Sequence, residues 1–155
     1  MDKPERIIDL KETSFFIDQY VDLRNSYCNL LLTEPVTVSG TNAWIKSRDI
    51  EVRCAVCGNV LLGSVILYLT RDGEVTYFVK EKNKGLGSRL LEIIEKVAGE
   101  KNLKKIWAWV LSDNVIAQHT FLKNGYKMKE TSIKKFQNQM RDGFVFEKIL
   151  SEDVA

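Results

Sequence analysis

At 155 residues the chain has the length of one ordinary domain with enough material for a two-layer core, which excludes an array of modules. Apolar residues at 45% and charged residues at 28% exclude a disordered tail, and 23 basic against 21 acidic residues, mixed along the length, exclude a strong field aimed at nucleic acid or an anionic membrane. No apolar run approaches the roughly 18 residues of a membrane span, and the start Met1-Asp2-Lys3-Pro4-Glu5 is polar, so a cytoplasmic protein without membrane or nucleic-acid partners is expected. Three cysteines, an odd number, suggest reduced thiols packed as small hydrophobes.

In chain order, Ile7 to Leu10 reads as a strand, and Thr13-Ser14 can cap a helix carrying Phe16, Tyr20 and Leu23. The stretch Cys28 to Leu32 is ambiguous. Ser39 to Lys46 reads as a short helix with Trp44 and Ile45. Glu51 to Cys57 and Val60 to Leu69 are β-rich and separated by Gly58-Asn59, a two-residue loop tolerant of positive φ, so a hairpin is expected. After the turn at Arg71-Asp72-Gly73, Glu74 to Val79 makes a third antiparallel strand.

The polar loop Lys80 to Lys84 leads through Gly85 and Gly87 into Leu86, Leu90, Ile94, Val97 and Ala98 at helical spacing. Ile106 to Leu111 is a buried strand, Asp113 or Asn114 caps the next helix, and Gly125 ends it. Tyr126 to Ile133 and Gly143 to Leu150 are two last strands joined by the polar Lys134 to Asp142. The order gives one domain, 1–155, of mixed α/β (α+β) class.

A strand that turns through two glycines into a helix can aim several backbone N–H groups at one anion, and Lys82, Lys84 and Arg89 can add full charges. A pyrophosphate suits that arrangement. A Rossmann fingerprint would need a third glycine where Leu90 stands, and a P-loop would need Gly-Lys-Ser/Thr, so neither nucleotide fold is supported.

The stretch Glu74 to Tyr126 resembles the GNAT superfamily of acetyl-CoA-dependent N-acetyltransferases. Val79-Lys80-Glu81-Lys82-Asn83-Lys84-Gly85-Leu86-Gly87-Ser88-Arg89-Leu90-Leu91 is similar to the family's phosphate loop, Gln/Arg-x-x-Gly-x-Gly/Ala, with Lys82 in the Gln/Arg place. Asn114-Val115-Ile116-Ala117, followed by Phe121-Leu122-Lys123-Asn124-Gly125-Tyr126, is similar to Asn-x-x-Ala-x-x-x-Tyr-x-x-x-Gly-Phe/Tyr, with Phe121 replacing the tyrosine. The resemblance implies a mixed central sheet of six to seven strands flanked by about four helices.

It further implies acetyl-CoA as cosubstrate, held through Phe78, Val79, Lys82, Asn83, Lys84, Gly85, Leu86, Gly87, Ser88, Asn114, Ala117 and Phe121. The amine of a small molecule would attack the thioester directly, with backbone N–H groups near Phe78 and Val79 polarising the carbonyl. Phe121 has no proton to give, so Tyr126 or Tyr77 is left as donor, and Glu74 as a base whose pKa burial can raise. Leu23-Arg24-Asn25 and Trp44-Ile45 are similar to members acting on nucleotide-linked sugars or protein N-termini, which makes Arg24 and Asn25 candidate acceptor-binding residues. A homodimer through the last strands is a family-level expectation.

Three classes remain open at this point: a small-molecule amine acetyltransferase, a peptide or protein acetyltransferase, and a non-catalytic acyl-CoA-binding domain. His119, without a Ser or Cys partner, reads as a surface or packing residue. Cys54-Ala55-Val56-Cys57-Gly58 has zinc-knuckle spacing, but residues three apart on a strand face opposite sides, and no metal is expected. Trp107 and Trp109 share a strand face and are expected to pack the core, with one indole an alternative wall of the acceptor pocket.

Overall fold

Strands with apolar residues on both faces need cover on both sides, and the middle of this chain is built of such strands. The computed structural model describes residues 5–82 and 84–151. Seven strands form one sheet, in the order β1 (Glu5–Asp9), β2 (Ile50–Cys57), β3 (Val60–Tyr68), β4 (Glu74–Val79), β5 (Lys105–Leu111), β7 (Gln139–Ile149) and β6 (Lys127–Phe136). Every neighbouring pair is antiparallel except β4 and β5, which run parallel. The helices are α1 (Ile17–Asn25), α2 (Cys28–Leu31), α3 (Val38–Trp44), α4 (Leu86–Glu100) and α5 (Val115–Lys123). The mixed sheet of the sequence reading is present. The helix beyond the four expected is the single turn α2, which fills the ambiguous stretch.

Three local readings change. Thr13 makes no helix cap; its hydroxyl donates to the Asp9 carbonyl, and a 3-10 turn, Ser14–Phe16, precedes α1. Thr37 caps α3 instead, accepting from the Gly40 N–H at 3.0 Å, so that helix begins ahead of Ser39. Lys134 to Asp142 is not a long connector, because β6 and β7 close through Gln137-Asn138, whose φ values of 49° and 62° suit a type I′ turn. Both faces of β6 are largely exposed, so no apolar alternation marks it in the sequence.

Two cores sandwich the sheet. On one face α4 lays down Leu90, Leu91, Ile94, Val97 and Ala98, the i, i+1, i+4, i+7, i+8 stripe, against Val65, Leu67, Val75, Ile106 and Ala108. Truncating Ile94, which is fully buried, to Ala would cost about 2–5 kcal/mol. On the other face α1 places Ile17, Tyr20 and Val21 against Val52, Cys54, Val56, Ile66 and Phe78. The alternation of side chains along β4 thus sends Val75 and Val79 to one core and Phe78 to the other.

The parallel junction positions the site. β4 and β5 are paired at one position, Glu74 opposite Trp107. Beyond it the ladder stops, and a gap lined by Thr76, Tyr77, Trp109 and Val110 opens in the middle of the sheet.

Candidate active site

A groove of about 340 Å³ runs between the end of β4, the start of α4 and the face of α5. Gly85 sits at φ 79°, where a Cβ would meet nothing within 4 Å, so glycine serves the left-handed backbone there. Gly87 serves the opposite need: a Cβ would come 2.9 Å from Tyr77 Cε2 and 3.3 Å from Thr120 Cγ2. The bare helix start therefore lets the Tyr77 ring lie against it. The first helical bond runs from the Arg89 N–H to the Gly85 carbonyl, and the N–H groups of the first turn have no intrahelical acceptor.

Lys82 and Lys84 line this groove, as do Leu86, Ser88 and His119. The Ser88 hydroxyl accepts from Asn124 Nδ2 at 2.9 Å, tying the start of α4 to the end of α5. Arg89 does not line the groove itself; it pairs with Glu5 and lines an adjoining cavity with Val60 and Leu62 that shares Lys84, Gly85 and Leu86 with the groove. Asn83 lies outside the described residues.

At the end of β4 the two backbone candidates separate. The Lys80 N–H donates to the Leu62 carbonyl, so ladder alternation gives the polar groups of Phe78 to β3 and turns those of Val79 toward the gap. The Phe78 side chain is fully buried beneath α1. Val79 meets Tyr27, whose hydroxyl donates to its carbonyl at 2.7 Å and accepts from its N–H at 3.4 Å. Burial pushes the Tyr27 phenol pKa up, partly opposed by the bond to Val79. Lys82 Nζ stands 5.3 Å from the centre of the same ring.

Asn114, Ala117 and Phe121 border the small gap between the strands. Asn114 Oδ1 caps α5 by accepting from the Ala117 N–H at 3.3 Å. Phe121 packs edge-on to Tyr77 and Tyr126, with ring centres 5.5 and 4.9 Å apart. The fold also draws Tyr126 away from the groove. It is 3% exposed in the core beneath α4 and α5, and its hydroxyl has no hydrogen-bond partner among the described residues. Burial, then Glu95, drives its pKa far up.

On the opposite face lies a chamber of about 40 Å³ that includes Glu74, Thr76, Phe78, Trp109 and Lys134. Glu74 accepts from Arg71 at 3.1 Å. Lys134 Nζ lies 5.2 Å from the Trp109 ring centre and donates to the Leu31 carbonyl. Arg24 lines both this chamber and an outer cavity of about 400 Å³ beside α1 and α3. Asn25 is committed elsewhere, since its amide donates to the Val36 carbonyl at 2.9 Å and accepts from the Val36 N–H at 2.8 Å. It braces a loop.

The sequence model of the acetyltransferase (GNAT) family matches residues 17–126. The chain belongs to the GNAT family of acetyltransferases. Its structure is similar to that of yncA from Salmonella typhimurium, solved with its cofactor acetyl-CoA, with a TM-score of 0.84 and 16% identity over 97% of this chain and 96% of that one. An N-acetyltransferase from Staphylococcus aureus Mu50 gives 0.83 and 17%, over 96% and 100% of the two chains. Spermidine N-acetyltransferase from Vibrio cholerae, solved with CoA and spermine, gives 0.78 and 15%, over 94% and 95%. No functionally curated protein matches the chain in sequence.

GNAT enzymes use acetyl-CoA as cosubstrate, and the residues of this one fit it: an open left-handed Gly85, a helix start without a Cβ at Gly87, two lysines, and a strand end whose polar groups face the gap. Sequence reasoning missed Tyr27 and Lys134, which reach the site from an α1–α2 corner and an edge strand that carry no motif. Gly143 was missed in the same way. A Cβ there would come 2.2 Å from Trp109 Cζ2, so this glycine of β7 makes room for the indole that walls the chamber. The Trp107-Ala108-Trp109 alternation put both indoles on one face as expected, but not in the core: Ile106, Ala108 and Val110 fill it, and Trp109 walls the chamber, the alternative reading.

Proposed function

We propose that this GNAT enzyme transfers the acetyl group of acetyl-CoA to a primary amine of a small molecule, the two substrates meeting in the gap between β4 and β5. The observation that carries this reading is the placement of the groove and the polar chamber on opposite faces of the sheet, with Tyr77 and Val79 on one side of β4 and Glu74 and Thr76 on the other. The chamber holds little more than one water-sized group, which favours a slim amine over a peptide needing an open groove. Neighbours named for spermidine and for phosphinothricin support the small-molecule class, while one named for ribosomal-protein alanine keeps the protein class as the alternative. For a nucleotide-linked amino sugar, Arg24 and Trp44 remain available on the acceptor side and Asn25 does not.

Bound in the groove, acetyl-CoA supplies an acetyl group on a good leaving thiol. Lys82, Lys84 and the N–H groups at the start of α4 hold its pyrophosphate, and the Val79 N–H, exchanging its long 3.4 Å bond to the Tyr27 hydroxyl for the thioester oxygen, polarises the carbonyl. Tyr27 holds a proton at its phenol oxygen for the departing sulfur and so takes over from the missing tyrosine at position 121. Glu74 starts the strand that Val79 ends, about 16 Å away by strand rise, so it does not reach an amine at the Val79 end directly, and the amine proton leaves to water. Incubating the purified protein with acetyl-CoA and a panel of small amines, and following release of free CoA thiol, tests the reading. Thiol release with small amines is expected; acetylation confined to peptides or protein N-termini would overturn it.

A further inference from the structure

The acceptor side has a lopsided charge. The outer cavity beside α1 and α3 is lined by Arg24 and Arg71, with no carboxylate among its described residues. The inner chamber adds Lys134 and one carboxylate, Glu74, which Arg71 already holds at 3.1 Å. Arg24 and Lys134 have no carboxylate partner among the described residues; they donate to the backbone carbonyls of Glu34 at 3.1 Å and Leu31 at 3.3 Å. Two positive charges are therefore uncompensated along the path that an amine, itself cationic in water, must take.

Opposing charges weigh more in a partly desolvated site than in water. A plain polyamine entering this path meets net repulsion, whereas an amine that also carries a negative group arrives nearly neutral and offsets the exposed surplus. Arg24, Tyr68 and Arg71 line both cavities, so they mark the neck between the chamber for the amine and the space for the rest of the molecule. Arg71 also lies 4.1 Å over the Tyr68 ring, which fixes its guanidinium at that neck. Burial pushes the Lys134 pKa down, with Glu74 opposing, so an anion beside Lys134 would further favour its charged form.

We propose that the acceptor bears a carboxylate or phosphate a few bonds from its reacting amine, recognised by Arg24, Arg71 and Lys134. The assignment rests on the acetyltransfer reading for its use, though not for the binding it describes. Matched pairs test it: O-phosphoethanolamine against ethanolamine, and β-alanine against β-alaninamide. Each is assayed for acetyl transfer and for calorimetric binding to the CoA-loaded protein. The anionic member is expected to win by roughly ten- to a hundredfold, the worth of one charge-assisted hydrogen bond, and whichever pair discriminates more names the anion.

Lys134→Met, which keeps the aliphatic stem over Trp109, is expected to erase most of that preference, the anionic member losing far more than the neutral one. Equal use of both members, or preference for spermidine, would overturn the anionic subsite and leave the acetyltransferase reading standing. Anion-dependent binding without transfer to any amine would uphold the subsite and overturn acetyl transfer.

Discussion

The Tyr27 hydroxyl donates to the Val79 carbonyl at 2.7 Å and lies 3.4 Å from the N–H of the same residue, so one phenol faces both polar groups that β4 turns toward the gap. It stands where a proton is needed if the Val79 N–H polarises the thioester. Tyr27→Phe is expected to lower kcat about a hundredfold and leave acetyl-CoA binding intact. Because burial raises the phenol pKa, the wild type should keep its activity to higher pH than an ordinary tyrosine would allow and lose it as the phenol ionises. That basic limb should be missing from the pH profile of the variant. A Tyr27→Phe enzyme with wild-type kcat would remove this residue from the chemistry.

Trp109 and Gly143 form a second coupled pair. Gly143→Ala would place a methyl group inside the indole, which must swing into the chamber or push β7 away, at a cost of about 1–3 kcal/mol. Thermal unfolding should register the loss, and KM for the amine should rise more than KM for acetyl-CoA. An equal rise in both would place Trp109 outside the acceptor site.

Arg89 looked like a phosphate ligand in the sequence, yet its guanidinium pairs with Glu5 in the cavity on the other side of the Lys84-Gly85-Leu86 turn. Arg89→Gln should leave acetyl-CoA affinity within about twofold and cost about 1 kcal/mol of stability, since the Glu5 carboxylate it pairs with is only partly exposed. Calorimetric titration decides; a tenfold weaker complex would return Arg89 to the site.

Glu51 links Arg53 at 3.1 Å to Lys101 at 3.2 Å with its side chain 11% exposed. Burial raises its pKa, but the bonds to Arg53 and Lys101 outweigh that and hold it below the usual carboxylate value. A depressed folded pKa gives stability that is full above the unfolded value near 4.5 and lost as pH falls through the folded one. Glu51→Gln should therefore be less stable than wild type at pH 7 and converge with it toward pH 3, followed by urea midpoints. Parallel curves over that range would mean that the pair adds no pH dependence.

The sequence carried the sheet order around β3, β4 and α4 because hairpin glycines, β-branched runs and one strong helical stripe specify them locally. It carried the groove because Gly85 and Gly87 do different jobs within three residues, one for φ and one for room. It could not place Tyr126, whose position after Gly125 resembles a site residue until the packing of Phe121 and Phe146 draws it into the core. Nor could it find Tyr27 or Lys134. Each is brought to β4 or β5 from more than 20 residues away in sequence by contacts that no local pattern encodes.

The most direct test is calorimetric titration of acetyl-CoA into the wild type, Gly85→Ala and Gly87→Asp. Gly85→Ala strains a left-handed residue without filling space, while Gly87→Asp drives a side chain into Tyr77 and sets a negative charge at the phosphate-facing turn. Saturable binding to the wild type, a modest loss in Gly85→Ala and none detectable in a folded Gly87→Asp is the expected result. Undiminished binding to Gly87→Asp would contradict the placement of the cosubstrate in this groove.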